Sequence, residues 1–272
     1  NSRRPAGISD ARTYAAAGFC RRTLHAGGRA VMYGDPNQPD FIGMEAGHDH
    51  AVQMLFTWDG RKRLTGVVVN VPCPSQVLES RYVVSADFFG ELRARIRSTF
   101  DRGVHVLCQV SAAGDQSPRD LPNQRNNDCN YWNESGMLAV AGRLEQAVAE
   151  GYTITRNHIR RTAILKHTVT DVALPVRRAG AKEYREACED VKRLTARHRN
   201  MDSASKKLYA RFVRDVLAGE KARQFGPFDN KDLDFVQLEN AQAVITRFKT
   251  QAGDSTFPVE LHAVRVGDCA FV

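Results

Sequence analysis

The sequence predicts an α/β fold: a mixed β-sheet flanked by helices, with a helical hairpin inserted in its second half. Three observations carry this. A helical pattern over Phe89–Phe100 follows the extended segment Tyr82–Asp87 and is followed at once by a strand pattern from Val104, a strand–helix–strand order. The apolar runs Ala51–Trp58 and Leu64–Val71 meet at Asp59-Gly60, a strong hairpin signal. Two highly charged stretches of helical character, Lys182–Arg199 and Ser203–Gln224, follow one another late in the chain. With 272 residues and ordinary hydrophobic content, one α/β domain over 1–272 is expected, with 182–224 as a helical segment within it.

The elements follow in order. Ser9 or Asp10 caps a helix expected from Ala11 through the alanine run to about Leu24, stopped by Gly27-Gly28. Arg29–Tyr33 reads as a short strand. Residues 34–49, rich in Gly, Pro, Asp and Asn, read as loop. The hairpin strands come next. In the helix after them, Phe89, Leu92, Ile96 and Phe100 share one face and arginines take the other, with Asp87 at its positive N-terminal end. A long helix opens at Asn133 or Glu134 and is expected to stop at Gly151. Residues 159–178 read as extended, with Pro175 marking an edge. In the second charged helix Tyr209, Phe212, Val213 and Val216 fit one buried face. Residues 232–250 read as a helix, 257–265 as a strand, and Gly267-Asp268 turns into a last strand.

The stretch that points to chemistry is Val104–Pro118. Its β-branched apolar run reads as a strand covered on both faces. Ser111–Pro118 then changes to small and polar residues. Gly114 is free to take a positive φ, and Pro118 holds Ser117 extended. A serine at the carboxyl end of a strand, beside an aspartate, sits where open α/β sheets place their chemistry. An ordinary Gly-Asp turn after a strand is the alternative.

Gly114-Asp115-Gln116-Ser117-Pro118 resembles the GDxSP signature of the neutral/alkaline ceramidase family. Residues 68–75 (Val-Val-Asn-Val-Pro-Cys-Pro-Ser) and 83–90 (Val-Val-Ser-Ala-Asp-Phe-Phe-Gly) resemble that family's strand, His-Pro segment and Ser-x-Asp-x-x-Gly helix start, in the same order, over about 52–118. The resemblance implies a zinc-dependent amidase acting on N-acyl lipid or a related small-molecule amide, with Ser117 as nucleophile and the loop at Gly114 and Asp115 contributing to the oxyanion site. It implies zinc held in part by the His of the His-Pro segment, where this chain has Cys73, with the remaining ligands outside this chain.

Cysteine thiolate binds zinc well, so Cys73 has three readings: a ligand of a variant zinc site, a nucleophile, or a small buried residue between prolines. Asp115 is expected to close an Asx turn rather than act as acid or base. His48 and His50, at i and i+2 before a strand, are either a metal-binding pair or a polar loop end; the family resemblance places no ligand there. A non-catalytic relative that binds a polar or glycan-like ligand is the alternative function.

The net charge of +8 raises nucleic acid as a partner, but the basic residues are dispersed and no aromatic-interleaved basic motif occurs, so none is expected. Six cysteines without a CxxC pair argue against a zinc ribbon or thioredoxin motif. No run of 18 apolar residues predicts a transmembrane helix, and no signal peptide is visible. The resembling family is often secreted or membrane-associated; this chain specifies neither compartment nor oligomeric state. A start without Met and an end inside a strand-like run lead to the expectation of a fragment truncated at both ends.

Overall fold

The computed structural model describes residues 4–79, 81, 83–123, 133–199, 202–208, 210, 233–251, 253 and 255–272. Its framework is a four-stranded mixed sheet in the order β1 (Ala6–Tyr14), β6 (Ala51–Asp59), β7 (Leu64–Val71) and β8 (His105–Val110). β6 and β7 are the expected hairpin, paired antiparallel. Asp59 closes it: its carboxylate accepts from the backbone N–H of Arg61 and Arg63 at 2.8 and 2.9 Å. β8 (His105–Val110) lies parallel to β7 after a crossover through α1 (Asp87–Thr99), the predicted strand–helix–strand unit.

Where the alanine run predicts a helix, the chain forms β1 (Ala6–Tyr14), antiparallel to β6. The helical propensity of alanine is small per residue and yields to pairing. Ser9 is not a cap: its hydroxyl is buried and accepts the Trp58 indole N–H at 2.8 Å. The rest of that expected helix is β2 (Phe19–Cys20) and β3 (Arg22–His25). A positive φ at Gly27 and Gly28 turns the chain into β4 (Arg29–Met32). The predicted loop 34–49 contains β5 (Phe41–Met44), so that β4-β3-β5 form a small antiparallel sheet.

α1 and α2 (Glu134–Thr155) cover one face of the main sheet. Between them lies a core of Val52, Met54, Phe56, Trp58, Val67, Val69, Leu92, Ile96 and Leu144. Asn133 caps α2 by accepting from Gly136 N at 2.9 Å. Gly151 does not end this helix. It lies inside it, and a Cβ there would stand 2.6 Å from Met54 Cε and 3.2 Å from Ala11 Cβ, so glycine lets α2 sit close on the sheet.

β8 is an edge strand covered on one face, not two: Leu107 is 58% exposed and Val110 44%. The apolar Leu107 on its open face conceals the alternation that would have marked a half-covered strand.

Later elements match the expected order: β10 (Leu165–Pro175), α3 (Ala181–Arg199), α4 (Leu233–Thr250), β11 (Thr256–Val266) and β12 (Cys269–Phe271). The chain divides into two compact units, 1–167 with 263–272, and 168–262. In the second, α3 packs on α4, with Tyr184 stacked on Phe248 at 4.4 Å. Residues 203–208 are helical, while most of the predicted second charged helix, including Tyr209, Phe212, Val213 and Val216, lies outside the described residues.

Candidate active site around Ser117

After β8 the chain makes a tight turn, with Gln116 N donating to Ala113 O at 3.1 Å, and enters β9 (Gln116–Ser117). β9 pairs antiparallel with β2, placing Phe19 opposite Ser117 and Cys20 opposite Gln116. Ser117 is thus fixed by a short strand pair rather than by a free loop, and it is fully buried.

Its hydroxyl oxygen accepts two hydrogen bonds: the Tyr33 O–H at 3.4 Å and the Arg119 backbone N–H at 3.2 Å. Tyr33 O accepts in turn from Gln76 Nε2 at 3.0 Å, and the Arg119 guanidinium lies 5.6 Å from the Tyr33 ring centroid. Tyr33 follows β4 with φ at 54°, a backbone region that a bulky aromatic residue rarely adopts. Its N–H donates to Arg21 O at 2.7 Å. The segments 73–76 and 114–118, singled out separately in sequence, are therefore joined through a residue from a third.

The loop residues hold the turn by their backbones. Gly114 O accepts from the Arg21 guanidinium at 2.8 Å, and Asp115 O accepts from Arg21 N at 2.9 Å. Gly114 does not use a positive φ. Asp115 contributes its carbonyl, and its carboxylate closes no Asx turn among the described residues.

Cys73 is fully buried in the core beside Gly18. A Cβ at Gly18 would stand 2.4 Å from Pro72 O, so glycine there permits the β2 approach to the 72–73 turn. Burial, and then the negative charge of Asp87, push the Cys73 thiol well above its ordinary range. Its Sγ donates to Pro74 O at 3.5 Å. Asp87, at φ 51°, ties this loop to α1 by accepting from Leu78 N at 2.6 Å and Phe88 N at 2.7 Å.

Zinc requires a thiolate and further ligands. Among the described residues no group of three or more His, Cys, Asp or Glu side chains is arranged to hold a metal ion. The buried Cys73 thiol by itself does not make a zinc site.

His48 Nδ1 accepts the Cys20 N–H at 2.8 Å, which in the neutral ring leaves the proton on Nε2. That tautomer has no lone pair left for a metal. Desolvation and then the neighbouring His50 lower the His48 pKa, with Asp120 opposing. Phe19, opposite Ser117, packs edge-on against both imidazoles at 5.4 and 5.6 Å. The pair thus supports β2.

Sequence reasoning missed Tyr33, Gln76 and the Arg119 backbone. Tyr33 precedes Gly34 at the end of a predicted strand, where an aromatic looks ordinary; only the tertiary fold shows its strained backbone and its partner.

No protein-family model matches this chain, and no curated protein matches it. Two solved structures are similar in fold. One, a ceramidase complexed with C2, has a TM-score of 0.53 and 12% identity, covering 98% of this chain and 41% of that one. The other, neutral ceramidase from Pseudomonas aeruginosa, has a TM-score of 0.50 and 14% identity, covering 98% and 39%. The chain spans about two fifths of the length of these ceramidases, and the fold is ceramidase-like.

Proposed function

We propose that this chain is a ceramidase-like hydrolase domain that cleaves an amide bond of an N-acyl lipid or related substrate, with Ser117 as nucleophile. The observation that carries this is the Tyr33–Ser117 pair: a tyrosine in a strained backbone conformation donating to a buried serine hydroxyl. Strain held at one residue, aimed at another, is a feature of functional sites.

In acylation the Ser117 Oγ–carbon bond forms, the amide carbon–nitrogen bond breaks, and the serine proton ends on the leaving amine. An acyl-serine ester remains, and water hydrolyses it. Tyr33 O–H and Arg119 N–H both donate to Oγ, so they lower the energy of the alkoxide as charge develops there. Among the described residues no imidazole or carboxylate hydrogen-bonds Ser117, so these donors, not a classical triad, are its partners.

One observation favours a second reading, a non-catalytic relative of the same fold: Ser117 is completely enclosed. A serine-directed fluorophosphonate probe separates the two. Hydrolase chemistry predicts one adduct per chain, mapped by mass spectrometry to Ser117 and absent from Ser117→Ala. A probe that labels nothing, or another residue, overturns it.

A further inference from the structure

The face of the main sheet turned away from α1 and α2 carries an ordered polar row. Strand register aligns Arg12 with Gln53, Gln53 with Asn70, and Asn70 with Gln109, one residue from each of β1, β6, β7 and β8. Their sequence neighbours Met54 and Val69 point into the core, so the four face the other way. Gln109 Nε2 donates to Asn70 Oδ1 at 3.1 Å. The Asn70 amide N–H₂ and the whole Gln53 amide have no hydrogen-bond partner among the described residues. The row floors a cleft of about 670 Å³, walled by β12 with Phe271. That volume is in the ordinary range of small-molecule sites.

The charges around the cleft balance. Asp10 and Asp268 both pair with Arg160, at 2.5 and 3.4 Å, and Arg12 lies 5.7 Å from the Tyr14 ring centroid. The two carboxylates that line the cleft are thus paired with Arg160, which lies outside the lining, and counted with Arg12 on the floor these four side chains sum to zero formal charge. The cleft does offer amides that donate and accept at once, beside an aromatic wall. Hydroxyl groups also donate and accept, and sugar rings have apolar faces that pack on aromatic rings.

We propose that this cleft, floored by Arg12, Gln53, Asn70 and Gln109, binds an uncharged saccharide. The site is separate from Ser117 and holds whether or not Ser117 is a nucleophile.

The test is saturation-transfer NMR on the full chain with cellobiose, maltose and chitobiose at millimolar concentration. At least one disaccharide is expected to receive transfer, with affinity insensitive to added salt. Gln53→Ala combined with Gln109→Ala is expected to weaken that binding at least about tenfold, as loss of two hydrogen-bonding amides implies. Both positions are at least partly exposed, and an unchanged melting temperature checks that the variant is folded; Arg12→Ala serves as a second variant. No transfer from any of the three, binding unaffected by the substitutions, or binding that falls steeply with salt would each overturn the proposal.

Discussion

Tyr33 is the residue on which the account turns. Its backbone sits at φ 54°, and its hydroxyl meets both Ser117 and Gln76. Tyr33→Phe keeps the ring and the backbone and removes only the donor. Turnover is expected to fall roughly tenfold, since the Ser117 alkoxide loses one of its two donors and becomes harder to form. Melting temperature should change little; steady-state kinetics on the variant checks both. Cys73 makes a different kind of prediction. Its folded thiol is held far above the ordinary thiol pKa by burial and Asp87. Cys108, raised to about 11 mainly by burial, acts in the same direction. A raised folded pKa means stability that is complete below the unfolded pKa and lost as pH rises from there toward the folded value. Denaturant melts should therefore show stability declining above about pH 9, the usual thiol range. Cys73→Ala should flatten that decline and also cost some packing. A native Cys73 that alkylates readily at pH 8 would contradict the buried-thiol assignment.

At the scale of elements, β1 shows what the sequence could and could not convey. Its Ser-Asp-Ala-Arg-Thr-Tyr-Ala-Ala-Ala run satisfies a helix cap and helix propensities. What decides against the helix is antiparallel pairing with β6 and a buried Ser9–Trp58 hydrogen bond across 49 residues of sequence. Local pattern carries no information about a partner that distant. The β6–β7 hairpin, α1 and β8 were legible because each is coded within its own residues. Ser9→Ala should leave the Trp58 N–H buried and unpaired, costing roughly 1–3 kcal/mol in a urea melt. Gly18 is the sharper test of the site's support. With Pro72 O only 2.4 Å from the position of a Cβ, Gly18→Ala must push β2 off the 72–73 turn. We expect about 1–3 kcal/mol of destabilisation. Because β2 holds Ser117 in register, activity should fall further than stability alone explains. The GDxSP loop and Cys73 could be found in sequence; the Tyr33–Gln76 connection between them could not, since it joins three segments by side chains alone.

Across the whole molecule, α1 and α2 form a layer on the main sheet, and two of those three segments leave that sheet directly, 73–76 after β7 and 114–118 after β8. Leu144 is buried in that layer's core, and Leu144→Ala should cost about 2–5 kcal/mol by opening a cavity. A calorimetric melt of the first unit's transition would show it. The chemistry proposed at Ser117 depends on this frame being intact, but the frame does not require that chemistry. The measurement that separates them is hydrolysis of a fluorescent N-acyl sphingoid amide by the full protein and by Ser117→Ala, with substrate affinity measured in parallel. The account predicts release of free amine by the wild type, and in the variant a loss of turnover of about a hundredfold or more with affinity kept. Equal turnover in the two proteins, or a wild type that binds the amide and never cleaves it, would contradict Ser117 as the nucleophile.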